Sequence, residues 1–332
     1  MTTRLRQHKI GSGFDASSTA DDVLDGISLL GRTALVTGGY SGLGLEITRA
    51  LSRAGAHVVV PARRPATARD ALRGVPRVEV RALDLADLES VRRFADHFLE
   101  TDDGKLDILI NNAGIMACPE TRVGPDGAWE AHFAINHLGH FALTNHLYPA
   151  LSSGEAARVV SVSSASHFLS DIRWEDPHFA HESYDRRLAY AQSKTANALF
   201  AVHLNSLHDT TGIGPRAFAV HPGSILTPLQ RHIPREEQIA QGWITPDGTP
   251  APGFKTPAQG AATALWAATS PLLDAHGGAY CQDCDIAEPA TTQDMLIGGV
   301  KPWATDPDAA TRLWQLSAEL TGLGTHALRA RT

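Results

Sequence analysis

Short apolar runs alternate with longer segments of helical periodicity along most of the chain. The runs are almost wholly apolar, which is typical of parallel strands that helices cover on both faces. We predict strands at residues 34–36, 57–60, 78–80, 107–110, 158–162 and 217–220. This alternation favours a single α/β domain, with a doubly wound parallel sheet in a three-layer α/β/α arrangement.

The same pattern predicts how the chain is organised. We expect residues 1–30 to form an N-terminal arm, residues 31–285 the α/β domain, and residues 286–332 a C-terminal extension. Two segments interrupt the domain, a polar, aromatic-rich insertion at 168–188 and a proline-rich loop at 226–257. A long loop in a compact domain is usually a lid or a binding loop, so we expect residues 226–257 to contact substrate.

Capping residues predict a helix near each end of the chain. Ser17 and Ser18 precede an acidic and apolar segment and are expected to cap a short helix there. Near the C-terminus, Asp306 can cap a terminal helix, Pro307 suits its first position, and Gly322 can end it.

Composition argues against several classes of protein. The chain has 332 residues, of which 43% are hydrophobic and 20% charged, as in a globular protein with a full core. Its 29 basic and 36 acidic residues give a net charge of −7, which does not favour a nucleic-acid or membrane partner. No run approaches the ~18 apolar residues of a membrane span, and three cysteines give no disulfide framework. We therefore expect a cytoplasmic protein.

A glycine-rich turn directly follows the first predicted strand. Residues 37–44 have the sequence TGGYSGLG, and a helical pattern follows them. In this order, free backbone N–H groups and the helix dipole point at one place, and glycine lets a phosphate approach the backbone closely. We predict a Rossmann-type dinucleotide site here, with a tight turn that binds nothing as the alternative.

The second predicted strand ends near Arg63 and Arg64. Arg63 lies 19 residues after Gly44, where an acidic residue would bind the ribose 2′-hydroxyl of NAD. An arginine suits the 2′-phosphate of NADP, because its guanidinium can bind phosphate with two hydrogen bonds. We therefore favour NADP(H) over NAD, with two solvated arginines at a strand end as the alternative.

Tyr190 and Lys194 lie four residues apart in a helical pattern and therefore share one helix face. A phenol, with an ordinary pKa near ~10, becomes an effective acid or base when a nearby ammonium stabilises its phenolate. Ser164 follows the fifth predicted strand, at the sheet edge where ligands of this architecture bind, and its hydroxyl can hold a substrate oxygen. Ser163 is the alternative serine.

These motifs resemble those of the short-chain dehydrogenase/reductase family, in its retinol dehydrogenase-like branch, over residues 31–285. The resemblance adds an adenine-side acid, an Asn-Asn-Ala-Gly motif at 111–114, a catalytic asparagine, and a segment at 221–227 that covers the nicotinamide. The catalytic residues are then Asn136, Ser164, Tyr190 and Lys194. The cofactor contacts, including the glycine turn and the arginine, are Thr37, Gly38, Ser41, Gly42, Leu43, Gly44, Arg63, Asp84, Leu85, Asn112, Ala113, Gly114, Tyr190, Lys194, Pro222, Gly223, Ile225 and Thr227.

The resemblance also implies a mechanism. Hydride passes from nicotinamide C4 to a carbonyl carbon while Tyr190 protonates the carbonyl oxygen, which Ser164 orients and polarises. Lys194 holds the nicotinamide ribose and lowers the pKa of Tyr190, and Asn136 keeps a water beside Lys194. The expected protein is an NADP-dependent oxidoreductase for a small, hydrophobic carbonyl or alcohol, with no metal; the family also suggests a homodimer.

Two questions stay open at this point. Ser164 and Tyr190 are 26 residues apart, farther than in many members of the family, so we expect the insertion at 168–188 to serve the substrate side. A non-catalytic NADP-binding sensor or scaffold is the alternative function, although such proteins lose the tyrosine or the lysine and this chain has both. The sequence does not identify the substrate.

Several other residues are expected to carry no chemistry. Cys281 and Cys284 have redox or half-zinc spacing but lack a second ligand pair, so we expect them to be structural. Tyr184 has Leu188, and not a cation, four residues further on. Four histidines near Asn136 are expected to pack or to be solvated: His132, His137, His140 and His146.

Overall fold

The computed structural model describes residues 7–101, 104–153 and 156–323. Within these residues the strands are β1 (Thr33–Val36), β2 (His57–Ala62), β3 (Val78–Ala82), β4 (Ile108–Asn111), β5 (Arg122–Val123), β6 (Trp129–Glu130), β7 (Arg158–Val162), β8 (Arg216–His221), β9 (Tyr280–Gln282) and β10 (Asp285–Ile286). Strands β5 and β6 form an antiparallel ribbon, and the others form one sheet in the order β10-β9-β8-β7-β4-β1-β2-β3. All neighbours in that sheet are parallel except β9 and β10.

Helices cover both faces of the sheet. They are α1 (Ala20–Leu24), α2 (Gly42–Arg53), α3 (Pro65–Ala71), α4 (Leu88–Thr101), α5 (Gly139–His146), α6 (Tyr148–Ser152), α7 (Arg186–Thr211), α8 (Arg235–Ala240), α9 (Pro257–Thr269) and α10 (Pro307–Thr321). A π-helical turn, Phe133–Leu138, leads directly into α5. Over the described residues, no helix is both long enough and apolar enough to cross a membrane.

All six predicted strands are present and pair in parallel, so the doubly wound α/β sheet is confirmed. The predicted strand at 107–110 is displaced by one residue, since Asp107 lies before β4 and its carboxylate accepts a hydrogen bond from the Thr33 backbone N–H at 2.8 Å. The sequence pattern missed β5, β6, β9 and β10, because runs of two or three residues are too short to show a period.

Successive residues of the central strands enter two separate cores. Ala34, Val36 and Val58 pack in the core that α2 and α9 cover. Leu35 and Val59 pack in the other, which α4, α5 and α7 cover. Side chains alternate between the two faces of a strand, so burial on both faces explains why the strands are apolar at every position.

The N-terminal segment packs on the domain. Its short helix α1 is capped by Thr19 and not by Ser17 or Ser18, because Thr19 and Asp22 cap each other reciprocally at the spacing of a capping box. Ahead of α1, the backbone N–H groups of residues 10–12 donate to the Asp285 carboxylate at 2.9, 3.1 and 3.4 Å.

The predicted terminal helix is confirmed as α10. Asp306 caps it through the N–H groups of residues 308 and 309, Pro307 begins it, and Gly322 ends it with a φ of 67°. Trp314 packs against α7, where its ring stacks on Phe200 at 5.7 Å. Because α7 also carries Tyr190 and Lys194, the C-terminal helix supports the helix of the candidate site from behind.

Candidate active site

The glycine turn joins β1 to α2 and leaves backbone donors available. Ser41 occupies the N-cap position of α2, but its side chain makes no capping hydrogen bond. Gly44 packs so closely on the turn that a Cβ there would lie 2.3 Å from the Gly38 carbonyl oxygen. The first turn of α2 can therefore offer its N–H groups to an anion, as the phosphate of a dinucleotide requires.

The end of β4 is fixed to this turn by Thr37. Its hydroxyl accepts hydrogen bonds from the backbone N–H groups of Asn112 and Ala113, both at 2.9 Å. In return, the Asn112 side chain donates to the Thr37 carbonyl at 2.8 Å. Gly114 follows at once, so the Asn-Asn-Ala-Gly motif and the glycine turn form one continuous wall at the carboxyl edge of the sheet.

The segment after β8 lies over this wall. A Cβ on Gly42 would lie 3.0 Å from the Cβ of Thr227, and Thr227 caps a 3₁₀ turn, Pro228–His232. Leu43 and Ile225 both approach Gly260 of α9. Residues 222–227 and the glycine turn are thus in direct contact, as expected if both hold one cofactor.

The expected adenine end of the site lies beyond β2 and β3. Arg63 and Arg64 follow β2 and are exposed, and among the described residues neither side chain is in an ion pair or hydrogen bond. Asp84 follows β3, and its carboxylate accepts a hydrogen bond from the Ala86 N–H at 3.0 Å. Leu85 lies against the start of α5, where a Cβ on Gly139 would meet the Leu85 carbonyl oxygen at 2.3 Å.

Ser164, Tyr190 and Lys194 lie together despite their separation in sequence. The Ser164 hydroxyl lies near the Tyr190 phenol and lowers its pKa, while Lys194 lies with Nζ 5.5 Å from the Tyr190 ring centroid. The Lys194 ammonium donates to the Val162 carbonyl at 2.9 Å, which fixes the lysine against the end of β7.

Burial shifts the pKa values of Tyr190 and Lys194 so that the neutral form of each is favoured. It raises the pKa of Tyr190 to about 12, even though the hydrogen bond with Ser164 acts in the opposite direction. It also lowers the pKa of Lys194 to about 8. Among these side chains, desolvation outweighs the effect of Ser164, and the expectation that Lys194 lowers the pKa of Tyr190 stays a prediction.

The geometry favours Ser164 over Ser163 as the reacting serine. The Ser163 hydroxyl is buried and donates to the Lys194 carbonyl at 2.8 Å. Ser164 begins a 3₁₀ turn, Ala165–Leu169, and its own carbonyl accepts a hydrogen bond from His167 Nδ1 at 2.7 Å. The Ser163 hydroxyl is therefore used in a contact with the backbone of α7, whereas Ser164 lies near the phenol.

Asn136 lies in the π-helical turn and borders the same space. Its side-chain oxygen accepts from the Ile115 N–H at 2.9 Å, and its amide donates to the Ile115 carbonyl and to the Ser193 hydroxyl. A Cβ on Gly114 would lie 3.1 Å from Asn136 Oδ1 and 3.8 Å from Lys194 Nζ. Glycine at position 114 thus lets the asparagine and the lysine approach each other.

This arrangement of residues has counterparts among known proteins. The sequence profile of short chain dehydrogenases matches residues 32–238. The chain belongs to the short-chain dehydrogenase family. It is 45% identical to a probable oxidoreductase of Streptomyces lividans, over 90% of this chain and 100% of that one. It is also 36% identical to retinol dehydrogenase 12 of Mus musculus, over 90% of this chain and 88% of that one.

A solved structure agrees with the family. The Pseudomonas aeruginosa RhlG/NADP active-site complex matches this short-chain dehydrogenase with a TM-score of 0.60 at 27% identity, over 77% of this chain and 95% of that one. The chain is therefore an oxidoreductase of the retinol dehydrogenase-like kind and uses a nicotinamide cofactor.

His140 is a buried residue of this short-chain dehydrogenase that sequence reasoning passed over. Its Nδ1 lies 2.9 Å from the Asn136 carbonyl and its Nε2 lies 2.8 Å from the Thr37 hydroxyl. A carbonyl only accepts, so Nδ1 carries the proton and Nε2 accepts from Thr37. Burial lowers the pKa of His140 to about 4, which keeps the ring neutral. The only sequence signal was its spacing of four residues from Asn136.

The insertion at 168–188 is an ordered part of this enzyme. The Gln192 side chain, on α7, accepts from the Arg173 N–H at 2.8 Å and donates to the Pro177 carbonyl at 2.9 Å. The Asp176 carboxylate accepts hydrogen bonds from the backbone N–H groups of residues 180–182. Residues 180–183 are exposed, so the insertion has a fixed base and a solvent-facing tip.

Cys281 lies on β9, and Cys284 lies in the turn between β9 and β10. Both thiols are free and buried. Burial raises the pKa of Cys281 and raises that of Cys284 to about 11. Thiols in such surroundings stay protonated near neutral pH, which disfavours both redox exchange and metal binding. Across residues 7–101, 104–153 and 156–323, no three His, Cys, Asp or Glu residues form a cluster that could hold a metal ion.

Proposed function

We propose that this short-chain dehydrogenase transfers hydride between NADP(H) and a carbonyl or alcohol substrate, with Ser164, Tyr190 and Lys194 as its catalytic residues. The observation that carries the proposal is that the Ser164 hydroxyl lies near the Tyr190 phenol, 26 residues away in sequence, with the Lys194 ammonium beside the phenol ring. Two neighbouring hydroxyls can hold and protonate one substrate oxygen.

The protonation state of Tyr190 suits an acid. With a pKa raised by burial to about 12, the phenol keeps its proton at neutral pH and can donate it to a carbonyl oxygen that gains charge. Ser164 would orient that oxygen through its hydroxyl. The bound nicotinamide supplies hydride chemistry at C4. A protonated phenol therefore favours reduction as the working direction.

Lys194 and Asn136 support the phenol. Both border Gly114, which is consistent with a water beside them that passes a proton towards Tyr190. Lys194 is also placed to hold the nicotinamide ribose, since its ammonium already lies at the end of β7. General acid catalysis by such a set contributes on the order of 10²–10⁴ in rate.

Two observations support NADP(H) over NAD(H). The side chains of Arg63 and Arg64 follow β2 as exposed cations, and within the described residues neither has an anionic partner. The RhlG structure with which this fold matches contains NADP. A bidentate guanidinium contact to a 2′-phosphate would use these cations.

The substrate is proposed to be hydrophobic. The similar mouse protein is named for retinol, an apolar alcohol, and the similarity spans 88% of that protein. Residues 226–257 lie beside the cofactor wall through Thr227, and we assign substrate contacts to this loop and to the insertion. We also retain the division into an arm at 1–30, a catalytic domain at 31–285 and a C-terminal extension.

Tyr190→Phe tests the proposal. The variant should lose NADPH-dependent reduction of hydrophobic aldehydes and ketones, because the phenylalanine ring has no proton to donate. NADPH binding, followed by the fluorescence of the dinucleotide, should persist, since only one hydroxyl is removed. Wild-type protein and a Ser163→Ala variant serve as active controls. Turnover by Tyr190→Phe near that of wild type would contradict the proposed mechanism.

If the wild-type protein binds NADPH but reduces no carbonyl in a broad panel, the alternative of a non-catalytic NADP sensor gains support instead. The panel should include aldehydes and ketones with both short and long apolar groups, because apolar contact area controls discrimination among such substrates.

A further inference from the structure

A largely buried polar cluster contacts Tyr190 through His132. We call Cys118, Glu130, His132 and Tyr184 the phenol-side cluster. They come from three separate segments: the stretch after β4, the stretch from β6 to the π-helical turn, and the insertion at 168–188. His132 and Tyr184 were expected to carry no chemistry, and Glu130 has no motif around it, yet these residues lie together, with His132 against the phenol.

Glu130 and His132 form the centre of the cluster. Glu130 Oε1 lies 2.7 Å from His132 Nδ1 and accepts from the His132 backbone N–H at 2.9 Å. Glu130 Oε2 accepts from the Phe133 N–H at 2.8 Å, at the start of the π-helical turn that carries Asn136. The exposed fractions of Glu130 and His132 are only 1% and 0%. A buried carboxylate with three such donors is tightly held.

Burial and contacts act in opposite directions on the pKa values of this pair. Burial alone would lower the pKa of His132, but contact with Cys118 and with the Glu130 carboxylate raises it to about 9. Burial alone would raise the pKa of Glu130, but hydrogen bonds and attraction from His132 lower it below the usual range. Each partner offsets the desolvation of the other, and loss of either would leave a buried charge unpaired.

The His132 ring lies against the Tyr190 ring. Their centroids are 6.1 Å apart and their planes are inclined by 69°, an edge-to-face arrangement within the usual range for paired aromatic rings. Because Glu130 holds Nδ1, the imidazole cannot rotate freely. Its ring therefore presents a fixed surface to the phenol.

Tyr184 joins the insertion to this pair. Its hydroxyl donates to the Cys118 carbonyl at 3.1 Å and lies 3.5 Å from Glu130 Oε1 and 3.4 Å from His132 Nδ1. The Cys118 N–H faces His132 Nε2 at 3.4 Å. Both sides of the imidazole are therefore held by neighbours from other segments.

We propose that His132, held by Glu130 and supported by Tyr184, is a positioning residue for Tyr190. It fixes the phenol ring so that its hydroxyl stays on the side of Ser164. The inference rests on the proposed function, since a position matters only if Tyr190 reacts. It also gives the insertion a role in catalysis through Tyr184, in addition to any contact with substrate.

His132→Asn separates the two parts of the role. An asparagine amide can replace Nδ1 as donor to Glu130, but it removes the ring that faces Tyr190. We expect kcat to fall about 10- to 100-fold, the cost of a misplaced reacting group, while the Kd for NADPH stays within about threefold of wild type. Glu130→Gln, which keeps the shape of the side chain and removes its charge, should lower kcat in the same way.

His203→Asn is the matched control. His203 also stacks on an aromatic ring, Trp314, at 4.6 Å, but it lies on the part of α7 that faces the C-terminal helix. It should lower the thermal unfolding temperature and leave kcat unchanged. The proposal is overturned if His132→Asn keeps a kcat within about threefold of wild type, or if NADPH affinity and kcat fall together.

Tyr184→Phe decides the matter if the other variants do not fold. It removes one hydroxyl and should lower kcat by up to about tenfold at unchanged NADPH affinity, as expected for one hydrogen bond. An unchanged kcat would refute the role of the insertion. Failure of the proposed function is a separate result, because the wild-type protein would then show no carbonyl reduction at all.

Discussion

Two buried histidines near the proposed catalytic residues have pKa values shifted in opposite directions because their partners differ. His140 lies between a backbone carbonyl and a hydroxyl, and its desolvation outweighs the hydrogen bond to the Asn136 carbonyl, so its pKa falls to about 4. His132 faces a carboxylate, and its pKa rises to about 9. The His140 ring joins the cofactor wall to Asn136, while the His132 ring, with its raised pKa, lies beside Tyr190.

Arg63→Asp tests the choice of cofactor. The variant places a carboxylate where the 2′-phosphate of NADPH is expected, so repulsion should reduce kcat/KM for NADPH by at least about tenfold. NADH should lose less or gain, because a carboxylate can accept from a ribose hydroxyl. Steady-state rates with both cofactors measure the effect.

Arg64→Asp is the matched control, since Arg64 is the neighbouring exposed arginine at the same strand end. A smaller effect from Arg64→Asp would assign the phosphate contact to Arg63. If the preference for NADPH over NADH is unchanged in both variants, neither arginine binds the 2′-phosphate.

The candidate site was predictable where its residues form local patterns. The glycine turn and the Tyr190–Lys194 pair each lie within one short segment, and the structure brings both to the same edge. Glu130, His132 and Tyr184 show no such pattern, because Tyr184 lies 52 residues beyond His132 and only the fold joins them. The raised pKa of Tyr190 could not be predicted from the sequence either, because it depends on how deeply the fold buries the phenol.

At the level of elements, one ion pair fastens the loop 226–257 to the sheet. Lys255 Nζ lies 2.6 Å from Asp283 Oδ1, at the turn between β9 and β10. The lysine stem packs on Gly223, where a Cβ would meet Lys255 Cδ at 2.7 Å. The Lys255 side chain is only 10% exposed, so this contact is screened little by solvent.

Asp283→Asn should loosen this end of the loop. We expect KM for NADPH to rise several-fold, by about the value of one partly buried charged contact, with a smaller change in kcat. Asp247→Asn is the control, because Asp247 bonds only to Thr245 and Thr249 within the loop among the described residues. Equal effects from the two variants would show that the ion pair does not hold the loop over the cofactor wall.

Long elements were easier to predict than short ones. The six central strands and α10 have either sustained apolar runs or a full set of caps, and all are observed. The π-helical turn Phe133–Leu138 and the hairpin of β9 and β10 have neither. Their conformations follow from contacts with distant segments, such as the three hydrogen bonds from residues 10–12 to Asp285.

At the level of the whole molecule, several histidines are buried in neutral form. Burial lowers the pKa of His137 to about 3 and those of His140 and His167 to about 4. In the unfolded chain these groups would titrate near ~6.5. Below that pH the unfolded state binds more protons than the folded one, so folding becomes less favourable.

We therefore expect the free energy of unfolding to fall as pH drops from about 6.5 towards about 4, by up to ~1.4 kcal/mol per pH unit for each such histidine. Urea denaturation at a series of pH values measures this dependence. His137→Gln should make the dependence shallower, whereas His181→Gln, at the exposed tip of the insertion, should leave it unchanged. Parallel curves for all three proteins would contradict the assignment.

The anchoring of residues 168–188 limits how new specificity can arise in this enzyme. Gln192 and Asp176 fix the base of the segment, and Tyr184 ties its end to Cys118 and His132, whose ring packs on the proposed catalytic phenol. Random diversification of the whole segment would thus damage turnover along with selectivity. Libraries that seek altered substrates should spare these anchors and vary the tip at residues 180–183, where sequence can drift without disturbing the proton donor.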